Sequence, residues 1–175
     1  GLGDVYKRQI IANNEYDGEE YDARKEFPGW NRSGYDDASW QPADVVPAPA
    51  GQLCAQPCPS IRVMERVHPV SITRMPSGKY LVDMGQNMVG VPKIKLSGMK
   101  PGTRICLRFA EVKYPDLPEY KGNTGMIMLE NIRAAMAQDI YIAKGGEETI
   151  FPRFTYHGYR FVEITGIDEP FPAAS

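Results

Sequence analysis

From Ile61 onward, apolar and polar residues alternate in short runs broken by glycine and proline. That is the pattern of half-buried strands joined by tight turns. Ile61-Arg62-Val63 opens the series, and Val70, Ile72 and Arg74 follow, closed by the turn Pro76-Ser77-Gly78. Lys79–Asp83 and Val91–Leu96 are the next two runs, and Pro101-Gly102 launches a longer one from Thr103 to Val112. There Ile105, Leu107 and Phe109 take one face and Arg104, Cys106 and Arg108 the other, as in a strand with one wet side. Gly145-Gly146 separates Asp139–Ala143 from Thr149–Phe151, and Tyr159–Ile164 makes the last strand. The turn spacing predicts an all-β fold, an antiparallel β-sandwich, over residues 61–175. Met126–Gln138 resists this pattern: it is rich in helix formers with apolar residues near helical spacing, so propensity alone favours a helix there.

Residues 10–60 read differently, as an acidic, aromatic, turn-rich stretch that ends in an irregular linker. Pro47, Pro49, Pro57 and Pro59 break that linker, leaving little periodicity. Asp4-Val5-Tyr6-Lys7-Arg8-Gln9 is what GATGTGTATAAGAGACAG encodes, the end of a common sequencing-library adapter. Residues 1–9 are therefore expected to be translated adapter with no bearing on the fold. The division is then 1–9, 10–60 and 61–175.

Composition narrows the function classes. Lysine plus arginine number 20 against 22 acidic residues, a net charge of −2 over 175 residues. That balance argues against a nucleic-acid binder, which needs a basic excess to displace counterions, and gives no polybasic membrane surface. No apolar run approaches the roughly 20 residues that span a bilayer. Glycine (17) and proline (15) stand above average yet below low-complexity levels, as suits many turns.

Phosphate loops, nucleophile elbows and zinc-protease helices are all missing from the text. Cys54, Cys58 and Cys106 have no metal-ligand spacing, and His68 and His157 are too few to complete one. His157, between aromatics and Arg160, reads as a hydrogen-bonded packing residue. Trp30, Asp36, Asp37 and Trp40 read as a turn with aromatic packing, the aspartates accepting from turn backbone.

The densest polar constellation runs from Asn13 to Arg24. Asn13, Glu15, Asp17 and Gly18 imitate the first half of a calcium loop, but Arg24 stands where the twelfth-position glutamate belongs. Three alternatives stay open: an acidic turn closed by an Arg24 ion pair, a calcium site of another geometry, and a sugar-binding edge. For the last, Asp17, Glu19, Glu20, Asp22 and Arg24 would meet vicinal hydroxyls and Tyr21 would offer a ring face.

Six motifs in register resemble one family. They are Gly18–Arg24 with Gly29-Trp30 and Asp37–Trp40; Ile61–Glu65; Asp83–Gly90; Arg108–Val112; Asn131–Ala135; and Pro152–Glu163. Their order resembles bacterial α-L-rhamnosidases of glycoside hydrolase family 78, over about residues 11–166. The resemblance implies that residues 10–60 are the tail of the family's N-terminal jelly roll and that residues 61–175 are its concanavalin-like sandwich. It implies that Met126–Gln138 is an irregular lead into a strand and that Pro115–Gly125 is an added surface loop.

In that family a catalytic (α/α)₆ barrel follows in cis and removes terminal α-L-rhamnose with inversion, and some members bind rhamnose through calcium. The implied activity belongs to that parent enzyme. This segment is expected to be inactive alone, with no catalytic residue and no required cofactor, calcium in the N-terminal part being an option. Its partners would be rhamnose-containing glycans and the barrel, with neither nucleic acid nor membrane among them. The alternatives are a stand-alone carbohydrate-binding module and a structural sandwich of a surface protein.

Overall fold

The computed structural model describes residues 9–168, so the expectation for residues 1–8 lies outside the described residues. Eleven strands form, in order β1 (Ile10–Asn14), β2 (Gly18–Asp22), β3 (Ser71–Arg74), β4 (Tyr80–Gly90), β5 (Ile94–Met99), β6 (Arg104–Ala110), β7 (Val112–Lys113), β8 (Ile127–Met128), β9 (Gln138–Ile142), β10 (Gly146–Ile150) and β11 (His157–Thr165). Short 3₁₀ turns form at Ala23–Lys25, Pro118–Tyr120 and Glu130–Ile132. The all-β expectation holds.

The main sheet has seven strands in the order β1-β2-β9-β6-β11-β4-β3. Every neighbouring pair is antiparallel except β2 and β9, which run parallel through Glu20–Ile140, Tyr21–Tyr141 and Asp22–Ile142. Ribbon β5–β10 lies over one face of this sheet, and Leu96 and Ile150 from it share a core with Ile105, Leu107, Phe109, Val162 and Ile164. The small β7–β8 pair places Ile127 beside Ala110 and Phe161 in a satellite cluster. Alternation along β6 produces the wet face expected: Ile105 and Leu107 are fully buried while Arg104 is exposed.

Two glycines are fixed by close approach. At Gly18 (φ +100) a Cβ would lie 2.0 Å from the carbonyl oxygen of Gln138. At Gly166 (φ +86) it would lie 2.0 Å from that of Arg104. Both positions combine a left-handed backbone with a neighbouring strand pressed against it, and only glycine meets both conditions.

Two sequence expectations change. Ile61–Val63 forms no strand: Ile61 is 88% exposed, and residues 41–69 cross the surface without ladder hydrogen bonds. Alternation by itself cannot make a strand, because the backbone needs a neighbour with free donors and acceptors. Here β3 already occupies the position beside β4. Met126–Gln138 forms no α-helix either. It divides into β8, the 3₁₀ turn and the first residue of β9, with Arg133 (φ 59) and Ala137 (φ 43) in left-handed conformations that end any helix. Tertiary pairing overrides propensity there, as the family resemblance implies.

Leu107→Ala is expected to lower unfolding stability by about 2–5 kcal/mol in urea titration, since the cavity lies under both layers of the core. A loss below about 1 kcal/mol would mean that the β5–β10 ribbon does not seal this face.

Candidate functional site

The acidic run of the N-terminal segment is built as hairpin β1–β2 plus the turn after it. Asn14 closes the hairpin: its Oδ1 accepts from the backbone N–H groups of Tyr16 and Asp17 at 2.9 and 2.7 Å. Its amide donates to Asp17 Oδ2 at 2.9 Å. This is an Asx turn, in which a short polar side chain satisfies turn backbone.

Strand alternation then divides the remaining candidates. Tyr21 faces the core side, where it stacks on Tyr141 with ring centroids 5.6 Å apart and donates its hydroxyl to Glu26. Asp22, 1% exposed, holds Arg24 in a bidentate pair, Nε and Nη2 each at 2.9 Å. It also accepts from the Arg24 backbone N–H at 3.1 Å. The Arg24 guanidinium holds the Asp22 carboxyl below its ordinary range. Asp17 and Arg24 are exposed, and Glu20 is half-buried. The six candidate residues therefore do not share one surface.

Glu19 leads to a cluster that motif reading did not assemble. Its backbone N–H donates to Asp139 Oδ1 at 2.9 Å, and His157 Nε2 meets the same oxygen at 3.1 Å. Glu19, Asp139 and His157 are 5%, 3% and 6% exposed. The imidazole stacks on Phe109 with centroids 4.1 Å apart. The Glu19 carboxylate accepts from Asn13 and from the backbone N–H groups of Phe154 and Arg153. Burial, reinforced by the charge of Asp139, nevertheless raises its pKa to about 7. Asp139 Oδ2 is buried with no hydrogen-bond partner. The motif Pro152–Glu163 contained His157, but its partner Asp139 lies 18 positions away, and Glu19, which meets the same Asp139 oxygen, lies 138 away.

Two further clusters occupy the motifs. In Asp83–Gly90, residues Met84–Asn87 bulge opposite Arg160, between the pairs Phe161–Asp83 and Tyr159–Met88. Arg160 fills the bulge and grips Asp83 through Nε and Nη2 at 2.9 and 3.1 Å, lowering the Asp83 pKa. Asp83 also caps Gly85 N–H at 2.7 Å. Glu111 collects the side-chain amides of Asn87 and Asn131 at 3.4 and 3.1 Å, drawing three motifs together. A shallow cleft of about 260 Å³ lies among Glu26, Lys95, Tyr141, Lys144 and Glu148. Two of its acids are already engaged: Glu26 pairs with Lys144, and Glu148 accepts from Tyr141 Oη and from the N–H groups of Lys144 and Gly145.

Cys54, Cys58 and Cys106 are all free thiols. Among the described residues no three His, Cys, Asp or Glu side chains stand together as a metal site, and no helix is long and apolar enough to cross a membrane.

The chain matches two family descriptions in tandem. Residues 4–65 match the α-L-rhamnosidase N-terminal domain. Residues 73–174 match the bacterial α-L-rhamnosidase concanavalin-like domain. An α-L-rhamnosidase of Streptomyces avermitilis is 42% identical over 162 residues, covering 90% of this chain and 15% of that protein. The solved structure of an α-L-rhamnosidase from Dictyoglumus thermophilum superposes with a TM-score of 0.84 at 39% identity, over 95% of this chain and 18% of that one. The Streptomyces avermitilis enzyme complexed with L-rhamnose superposes with a TM-score of 0.79 at 41% identity, over 93% of this chain and 15% of that one. The chain thus spans about a sixth of the length of these relatives.

Asp22 and Asp83 have depressed pKa values in the fold, so each adds stability above the ordinary aspartate range. That contribution disappears as pH falls through their folded values. Thermal melting should therefore decline below about pH 4, and Asp83→Asn should flatten the decline. An acid limb unchanged in Asp83→Asn would show that the Arg160 grip carries no stability.

Proposed function

The chain belongs to the bacterial α-L-rhamnosidases, and from that premise we propose that it is a non-catalytic accessory region of such an enzyme. The parent would hydrolyse terminal α-L-rhamnose from glycans or glycosides with inversion, on a catalytic barrel joined in cis. Inversion needs two carboxyls roughly 6.5–9.5 Å apart with a water between them, in a site open to a sugar.

One observation carries the accessory role: the acids of this chain that are most buried are spent on holding strands. Asp139 binds β2 and β11 together, Glu148 caps the turn after β9, and Asp22 holds the turn after β2. Glu19 and Asp139 lie side by side, but both are sealed from solvent. The strap 41–69 supports a scaffolding role. Val45 and Leu53 are 100% exposed, and Ile61, Val63 and Met64 are also uncovered. Apolar residues presented along a surface crossing suit packing against a neighbouring domain. Asp17 and Arg24, exposed, and Glu20 and Tyr21, half-buried, are the side chains of the acidic hairpin assigned to any glycan contact.

The 175-residue chain is expected to show no turnover of an aryl α-L-rhamnoside. Saturable hydrolysis would overturn the accessory role. Calorimetry with L-rhamnose separates the glycan contact from that role. Heat lost in Asp17→Ala or Tyr21→Ala supports the contact, and the absence of heat in the parent chain removes it while leaving the scaffold intact.

A further inference from the structure

The Glu19 cluster has an arrangement that strand pairing alone does not require. Two carboxyls and an imidazole are buried at the seam between the segment matching the N-terminal domain and the segment matching the concanavalin-like domain. Among the described residues His157 Nε2 stands 3.1 Å from Asp139 Oδ1, and Glu19 pairs with no lysine or arginine. An ionised carboxyl held out of water without a cation is costly, and a second one beside it is costlier still.

The backbone N–H groups of Phe154 and Arg153 and the Asn13 amide relieve the charge only in part, because burial and Asp139 outweigh them. Asn13 on β1 reaches Glu19 at 3.4 Å, a weak contact. On β9, Asp139 adds negative charge and its Oδ2 has no partner. On β11, His157 is engaged by Asp139, and burial, with the same charge as the lesser cause, pushes the Tyr159 hydroxyl up to about 12. On β6, Phe109 presents an apolar ring, and Cys106, which also feels Asp139, has its thiol pKa raised chiefly by burial. On β2, Tyr21 lies close enough to feel the charges of Glu19, Glu26 and Arg153. Arg153, in the loop before β11, gives Glu19 its backbone N–H while being an exposed residue.

We propose that Glu19, Asp139 and His157 form a proton-held clasp that closes hairpin β1–β2 onto the sandwich. A proton kept on the buried Glu19 carboxyl leaves a single carboxylate charge, which His157 and the Glu19 N–H satisfy. Loss of that proton to solvent places two carboxylates side by side out of water, and the hairpin is released to hydrate Glu19. β2 is held laterally to the sandwich by β9, so the opening unzips one strand pair and leaves the β6–β11–β4 centre intact. The clasp would let mild acid hold the two family segments together and mild base part them. It is a property of this chain and stands apart from the enzymatic role proposed above.

The sign follows from linkage. Glu19 rises from 4.5 to about 7 on burial, so the closed form binds more protons than the open form between those values. Closure is strongest at the low end of that window and weakens as pH rises, by up to about 300-fold in the opening equilibrium across the window.

The test is amide hydrogen exchange on the 175-residue chain from pH 5 to pH 8.5, corrected for intrinsic exchange rates. Protection in Ile10–Asp22 should fall about tenfold per pH unit up to about pH 7 and then level off. Protection in β6 and β11 should stay level. In Glu19→Gln the hairpin slope should vanish. The clasp is overturned by a pH-independent hairpin, by equal losses in hairpin and sandwich, or by a slope that survives Glu19→Gln. Should Glu19→Gln fail to fold, the carboxyl carbon of Glu19 can be titrated by NMR in the unaltered chain. A midpoint near 7 supports the clasp, and one near 4.5 overturns it.

Discussion

The parallel pairing of β2 with β9 is the contact on which the rest of this structure depends. All other neighbours in the seven-stranded sheet are antiparallel, and none of them joins the segment matching the N-terminal domain to the one matching the concanavalin-like domain. Parallel pairs cannot be made by a hairpin and need a long return of chain. Here that return is more than a hundred residues, including the linker and most of the sandwich. Asp139 secures the join by accepting from the Glu19 N–H, and the Tyr21–Tyr141 stack continues it along the strand. Gly18 allows it, because any side chain there would strike the Gln138 carbonyl. The N-terminal hairpin is thus a structural extension of the sandwich sheet.

That join explains why the polar residues divide as they do. A strand with one neighbour on each side has two faces, and the alternation Glu19, Glu20, Tyr21, Asp22 sends successive side chains to opposite ones. Glu19 and Tyr21 go to the core side and Asp22 to the other. On that other face charged groups pair across strands, as in Lys79–Glu163 at 3.1 Å and Arg160–Asp83 at 2.9 Å. Arg160 stands over Phe161, whose ring also receives Lys113. The face thus combines these ion pairs with the satellite cluster of Ala110, Ile127 and Phe161.

Most of the sandwich was legible from alternation and turn residues, because β3, β4, β6, β9, β10 and β11 carry period-two patterns bounded by glycine or proline. The family resemblance added Met126–Gln138, where helix formers are held irregular by positive-φ residues and strand pairing. Ile61–Val63 misled because a periodic pattern states which face could be buried and says nothing of whether a partner exists. The candidate site was legible as residue types and not as a constellation. Glu19 and Asp22 looked like available acids in a run of acids, yet the fold buries both. Asp139 and His157 drew no attention as partners of Glu19, since long-range pairing brings them together and local sequence does not encode it.

Removing β1 and β2 tests the central claim most directly. If the hairpin completes the sheet, a chain beginning at Ala23 leaves the β9 edge, with Ile140 and Tyr141, open to water. Its urea midpoint should then fall well below that of the 175-residue chain at pH 6, with aggregation through the freed edge. An unchanged midpoint, with the truncated chain monomeric, would mean that the sandwich is complete without the hairpin and that the parallel join is incidental.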